Sequence, residues 1–154
     1  MQTNNISDQQ TTDLVKKIAT DIESSGWEPE MIVGIARGGL VPATMLSYRF
    51  ECDMQPLVWQ TSKGSAQESN LWLPEDAVAG KHILIVDNVV RTGTTLQQIM
   101  SDWDLSVVNN IDWGQGVKFA CLHRCVDSEI MPQYVGDTIT STQQMIYPWE
   151  NLNG

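Results

Sequence analysis

Residues 81–96, KHILIVDNVVRTGTTL, carry the side chains best suited to chemistry in this chain. Four aliphatic residues, Ile83, Leu84, Ile85 and Val86, run straight into the carboxylate of Asp87 and the amide of Asn88. A short apolar run ending at a carboxylate is the pattern of a buried parallel strand that reaches the ligand edge of its sheet. Arg91-Thr92-Gly93-Thr94-Thr95 then offers a flexible glycine, three hydroxyls and unpaired backbone N–H groups just ahead of a helix. Such a loop can hold a phosphate monoester. A carboxylate for sugar hydroxyls beside a phosphate cradle points to a phosphorylated ribose.

A second stretch lies earlier in the chain. Residues 31–35 (MIVGI) read as the first buried strand, followed by Ala36-Arg37-Gly38-Gly39. Two glycines after a strand permit close backbone approach to a ligand, and Arg37 puts a guanidinium at the same sheet edge. Pro42 suits the first turn of a helix running through Tyr48. The alternative reading is a tight strand–helix turn with a solvated arginine.

These groups need a frame. A helix is expected from Asp8 or Thr12, with Leu14, Ile18 and Ile22 on one face and Gly26 ending it. Residues 1–7 read as a frayed, disordered tail. Residues 55–60 form a second strand candidate, and residues 71–74 and 77–80 lead into the central strand. Residues 61–70 (TSKGSAQESN) lack periodicity and read as a mobile loop, which at this length is more often functional than incidental. After Thr94 the spacing of Leu96, Ile99, Met100 and Trp103 predicts a helix. Residues 104–116 are ambiguous. Strands are expected at 117–122, briefly at 134–135, and at 145–147 before Pro148-Trp149-Glu150. Strands alternating with helices predict a doubly wound, mostly parallel α/β sheet in a single domain over residues 1–154.

The net charge of −10 argues against nucleic-acid or anionic-membrane partners, so a phosphate site must be built from local N–H groups and one or two cations. No apolar run approaches the roughly 20 residues of a membrane span. The polar N-terminus lacks a signal-peptide pattern, and the expected location is the cytoplasm. Three cysteines without metal-like spacing read as reduced structural thiols, and His82 and His123 are isolated, so no bound transition metal is expected. Trp27, Trp103 and Trp113 read as core or interface.

ILIVDNVVRTGTTL, with IVGIARGGLVP upstream and IYPWE near the C-terminus, resembles the type I phosphoribosyltransferases. The last segment is similar to the xanthine–guanine and hypoxanthine branch, and the likeness covers about residues 12 to 150. It implies that fold, with a small hood formed by N- and C-terminal segments, and usually a dimer or tetramer. It also implies an activity in purine salvage: displacement of pyrophosphate from 5-phosphoribosyl pyrophosphate (PRPP) by a 6-oxopurine such as hypoxanthine, guanine or xanthine, with Mg²⁺. The resemblance assigns catalysis to Asp87, Asn88 and Arg91, and the metal to Asp87. The 5′-phosphate falls to Arg91, Thr92, Gly93, Thr94 and Thr95, and the pyrophosphate to Ala36, Arg37 and Gly38. Ser62 and Lys63 match a lid that excludes water from C1. The base falls to Arg124 (His123 if the register slips by one), Gln144, Met145, Ile146, Tyr147 and Trp149. Glu150 reads equally as a metal or base contact and as surface.

Three positions depart from the family pattern. Asn88 stands where a second acid is usual, which predicts weaker binding of Mg²⁺–PRPP. Arg91 stands where the purine branch has an aspartate assigned as general base, and a guanidinium cannot accept that proton. Gln144 replaces the aromatic that stacks on the purine, worth about 1–3 kcal/mol, unless Tyr147 or Trp149 substitutes. Two readings follow: an active transferase for a 6-oxopurine or another base, or a non-catalytic PRPP- or nucleotide-binding regulator.

Overall fold

The computed structural model of the protein describes residues 1–60, 65–66 and 72–152. In chain order the elements begin with β1 (Gln2–Asn5), α1 (Asp8–Ser25), β2 (Met31–Ala36), α2 (Leu40–Phe50), β3 (Asp53–Gln60) and β4 (Ser65–Ala66). They continue with α3 (Trp72–Val78), β5 (Ile83–Val90), α4 (Thr94–Ser106), β6 (Val117–Cys125), β7 (Tyr134–Ile139) and β8 (Gln143–Ile146). A single 3₁₀ turn, Pro148–Glu150, follows β8.

The main sheet has the order β4-β3-β2-β5-β6-β7, with only β4 antiparallel to its neighbour. Strand pleat divides the core. Ile32, Leu84 and Val86 pack with Ile18, Ile22 and Leu46 on the α1/α2 face. Val33, Ile83 and Ile85 pack with Leu73, Leu96 and Ile99 on the α3/α4 face. Aliphatic residues buried on both sides are what a parallel strand covered by helices requires, so the sheet is doubly wound as expected. No helix among the described residues is long and apolar enough to cross a membrane.

The N-terminus differs from expectation. Gln2–Asn5 is not a frayed tail: it pairs in parallel with β8, Gln2 opposite Gln143 and Asn5 opposite Ile146, and the two strands form the hood. A polar tetrapeptide held by its backbone ladder gives no hydrophobic signal. Ser7 then caps α1 through a reciprocal capping box with Gln10, and Gly26 ends it at φ 77°. Trp72–Val78 is a helix where only a lead-in is expected; Pro74 falls in its first turn, where proline is tolerated. The central strand runs on past Asp87 to Val90. Within the stretch read as a mobile loop, Ser65–Ala66 pairs with the end of β3, while the lid candidates Ser62 and Lys63 lie outside the described residues.

Candidate active site

The strand order reverses between β2 and β5, and in open α/β sheets ligands bind beyond the carboxyl ends of the strands at such a point. Ala36, Arg37 and Gly38 follow β2, and the Ala36–Arg37 peptide is cis. The loop lies hard against β5. A methyl group on Gly39 would overlap the Val86 carbonyl oxygen, and one on Gly38 would overlap the Asn88 amide. Both glycines are therefore there for close approach. Arg37 is exposed, and no carboxylate among the described residues pairs with it.

Pleat puts Asp87 and Asn88 on opposite faces of β5, yet both reach an open cleft of about 690 Å³ at the strand's end. Ala36, Arg37 and Gly38 line it on one side, Thr95 at the start of α4 on another, and Trp149 and Glu150 after the hood on a third. Asp87 accepts a hydrogen bond from the Asn88 N–H at 2.8 Å. Burial nevertheless pushes its carboxyl up to about 7, with that N–H acting in the opposite direction. Beside Asp87 on the neighbouring strand β6, burial and then the Asp87 charge push the Cys121 thiol up to about 12.

The candidate phosphate loop divides. Gly93 takes φ 91° and caps α4, with Ile130 packed against its α-carbon. Thr92 Oγ1 is 2.9 Å from Thr94 Oγ1, and Arg91, Thr92 and Thr94 open onto a neighbouring hollow of about 370 Å³ that also holds Asp127 and Glu129. Of the five residues assigned to the phosphate, Thr95 alone lines the main cleft.

Arg91, expected at the catalytic centre and the 5′-phosphate, and Arg124, expected at the base, are both turned to backbone oxygens. Arg91 Nη2 donates to the Gln143 carbonyl at 2.7 Å, tying the end of β5 to the hood. Arg124 donates to the carbonyls of Ser128 at 3.2 Å and Ile130 at 3.5 Å, closing the turn after β6. Gln144 is exposed on β8, Ile146 is half-buried and Met145 is part of the core. Tyr147 lies buried behind Trp149, the rings stacked at 5.0 Å and 8°. Its hydroxyl meets His123 Nδ1 at 2.8 Å and donates to the Asn88 carbonyl at 3.2 Å. Burial lowers the pKa of His123, with Asp137 opposing. Trp149, whose buried indole N–H has no partner among the described residues, is thus the one expected base contact on the cleft wall.

Sequence reading missed Ile35 and Trp59 as cleft residues. Trp59, next to the last residue of β3 and beside β2, donates its indole N–H to Gln98 at 3.0 Å. An aromatic at the last turn of a strand next to the reversal point is a signal that could have marked it. Among the described residues no three acid, histidine or cysteine side chains cluster to enclose a metal. The cleft's donors are oxygens from Asp87, Asn88 and Glu150, a hard set that fits Mg²⁺ whose other ligands come from phosphates.

A mostly parallel sheet of this order, with glycine-rich and hydroxyl-rich loops at its reversal point and a hood above them, is the type I phosphoribosyltransferase fold. The chain belongs to the phosphoribosyltransferase family, the model for the phosphoribosyl transferase domain matching residues 2–144. The purine phosphoribosyltransferase of Pyrococcus horikoshii superposes with a TM-score of 0.75 at 23% identity, over 97% of this chain and 95% of that one, a likeness of fold. The hypoxanthine-guanine phosphoribosyltransferase of Aquifex aeolicus is 31% identical over 93 residues, 55% of this chain and 52% of that protein. Transcriptional regulator GfcR 2 of Methanosarcina barkeri is 31% identical over 84 residues, 52% of this chain and 40% of the regulator. The chain thus aligns with about half the length of these two relatives.

Proposed function

We propose that the cleft transfers the 5-phosphoribosyl group of PRPP to a purine base, a 6-oxopurine first among them, releasing pyrophosphate. The observation that carries this reading is the convergence of the Ala36-Arg37-Gly38 loop and the Asp87–Asn88 pair on one cleft with Thr95 and Trp149. Asp87 and Asn88 accept hydrogen bonds from the ribose hydroxyls. Backbone N–H groups and hydroxyls of residues 92–95 hold the 5′-phosphate. Arg37, exposed and without a carboxylate partner among the described residues, meets the pyrophosphate, and the Gly38-Gly39 backbone lets it come close. Trp149, backed by Tyr147, offers its face to the base. A base nitrogen attacks C1 as the C1–O bond breaks; pyrophosphate leaves with the electron pair, and the ring proton of the base passes to the departing pyrophosphate. Asp87, with Asn88 and Glu150 at hand, would hold Mg²⁺ arriving with PRPP, which would offset the charge of the leaving group.

A second reading is favoured by Arg91. Its commitment to the Gln143 carbonyl leaves no acid or base from that position facing the cleft, and part of the chain aligns with proteins named as transcriptional regulators. In that reading the same cleft binds PRPP or a nucleotide and reports on it without turnover. One experiment separates the two. Purified protein receives PRPP, Mg²⁺ and, in turn, guanine, xanthine, hypoxanthine, adenine and uracil, and pyrophosphate release is followed. Release with a 6-oxopurine supports the transferase, while release with adenine or uracil alone moves the substrate assignment. Calorimetric binding of PRPP without release supports the regulator, and neither release nor binding sinks both.

A further inference from the structure

Tyr147 is 1% exposed, yet its hydroxyl is not idle. A carbonyl oxygen only accepts, so the single phenolic proton goes to the Asn88 carbonyl at 3.2 Å. The 2.8 Å contact with His123 must then be donated by the imidazole, which fixes the Nδ1–H form of that ring. The chain of donors runs from β6, through the segment after β8, to the backbone of β5. The ring of the same tyrosine carries Trp149, stacked at 8°. Asn88 and Trp149 stand on different walls of the cleft, and Tyr147 touches both.

We propose that Tyr147, oriented by His123, is a positioning residue that sets the gap between the Asp87–Asn88 end of the cleft and its Trp149 end. A ribose and its attached base must fit together in that gap, so the spacing governs how well a nucleotide is held. A phenylalanine would fill the same volume. The hydroxyl is what joins the segment after β8 to β5 and β6, which pair with each other directly where Val89 lies opposite His123. This role rests on the functional reading above.

The chain has two histidines, so a His82→Gln variant assigns the imidazole signals without ambiguity. Long-range ¹⁵N–¹H spectra at neutral pH are expected to show His123 neutral, protonated at Nδ1 and bare at Nε2. In Tyr147→Phe the ring reverts to the Nε2–H form that imidazole favours in water. By calorimetry, Tyr147→Phe binds guanosine monophosphate about tenfold more weakly than wild type, the scale of one lost buried hydrogen bond with its partner stranded. His123→Asn, whose side-chain amide can place an N–H where Nδ1–H lies, stays within about twofold of wild type. His123→Ala falls to the level of Tyr147→Phe. A purely structural role would lower the melting temperature of these variants and leave affinity unchanged. An Nε2–H ring in the wild type, or wild-type affinity in Tyr147→Phe, overturns the proposal. A wild-type protein that binds neither nucleotide nor PRPP overturns the functional reading and the positioning role with it. The imidazole spectrum then decides separately whether the His123–Tyr147–Asn88 chain of donors exists.

Discussion

Replacing Asp87 by asparagine is expected to stabilise the ligand-free protein at alkaline pH and to do little at acid pH. Burial raises the carboxyl from an ordinary 3.8 to about 7. Between those values the folded protein binds a proton that the unfolded chain releases, so folding weakens as pH rises through this window. Below about pH 4 both states hold the proton and the effect vanishes. Above about pH 7 the folded state keeps a poorly solvated charge, and the full penalty applies. Roughly three pKa units at about 1.4 kcal/mol each give on the order of 4 kcal/mol. Asp87 retains some contact with the solvent-filled cleft, and screening through that opening brings the working figure to about 2 kcal/mol. Asparagine keeps the size and the oxygen that accepts from the Asn88 N–H, so it removes the charge and little else. The assay is urea unfolding of both proteins at pH 4.5 and pH 8, compared as differences so that the remaining carboxylates cancel. With a slope of about 2 kcal/mol/M, the variant's midpoint exceeds wild type by about 1 M at pH 8 and by far less at pH 4.5. The same variant loses affinity for Mg²⁺–PRPP. Equal midpoint differences at the two pH values, or a destabilised variant at pH 8, would refute the reasoning.

Other positions give equally direct tests. Gly39→Ala forces a methyl group onto the Val86 carbonyl, with the Ile35 oxygen only 2.8 Å from the same point, and is expected to cost about 1–3 kcal/mol in thermal or urea unfolding. Arg37→Ala leaves stability within about 0.5 kcal/mol because the side chain is exposed and pairs with no carboxylate among the described residues, but weakens PRPP binding at least about tenfold in a calorimetric titration. Arg91→Ala frees the hood: amide hydrogen exchange in Gln2–Asn5 and Gln143–Ile146 speeds up, with a stability loss of about 1.5–3 kcal/mol for a charged hydrogen bond removed. Unchanged exchange in those strands would deny Arg91 its role as the hood's tether.

The frame of the protein was legible because its signals are local and strong. Continuous aliphatic runs marked β2 and β5, and Gly26 and Pro42 marked helix boundaries where they fall. The Gly38-Gly39 pair signalled close approach, and the Asn88 amide and Val86 carbonyl pressed against those residues supply the physical reason. Side-chain direction was not legible. Nothing in the position of Arg91 or Arg124 foretells that each guanidinium finds a backbone carbonyl rather than the cleft. Gln143 becomes a neighbour of Arg91 only through tertiary folding, and Ser128 meets Arg124 only because the chain turns sharply after β6. Tyr147 and His123, 24 residues apart, illustrate the same limit: their hydrogen bond depends on how the hood closes over β6.

The pairing of Gln2–Asn5 with Gln143–Ile146 also sets an order of events during synthesis. β1 is made before β8, and the six strands of the main sheet lie between them in sequence, so β1 must wait for its partner. Throughout that interval the segment is an open edge, and an apolar version of it would be a template for pairing with other nascent chains. Gln-Thr-Asn-Asn carries no apolar side chain with which to do so. The polarity that conceals this strand from sequence inspection is what allows it to wait.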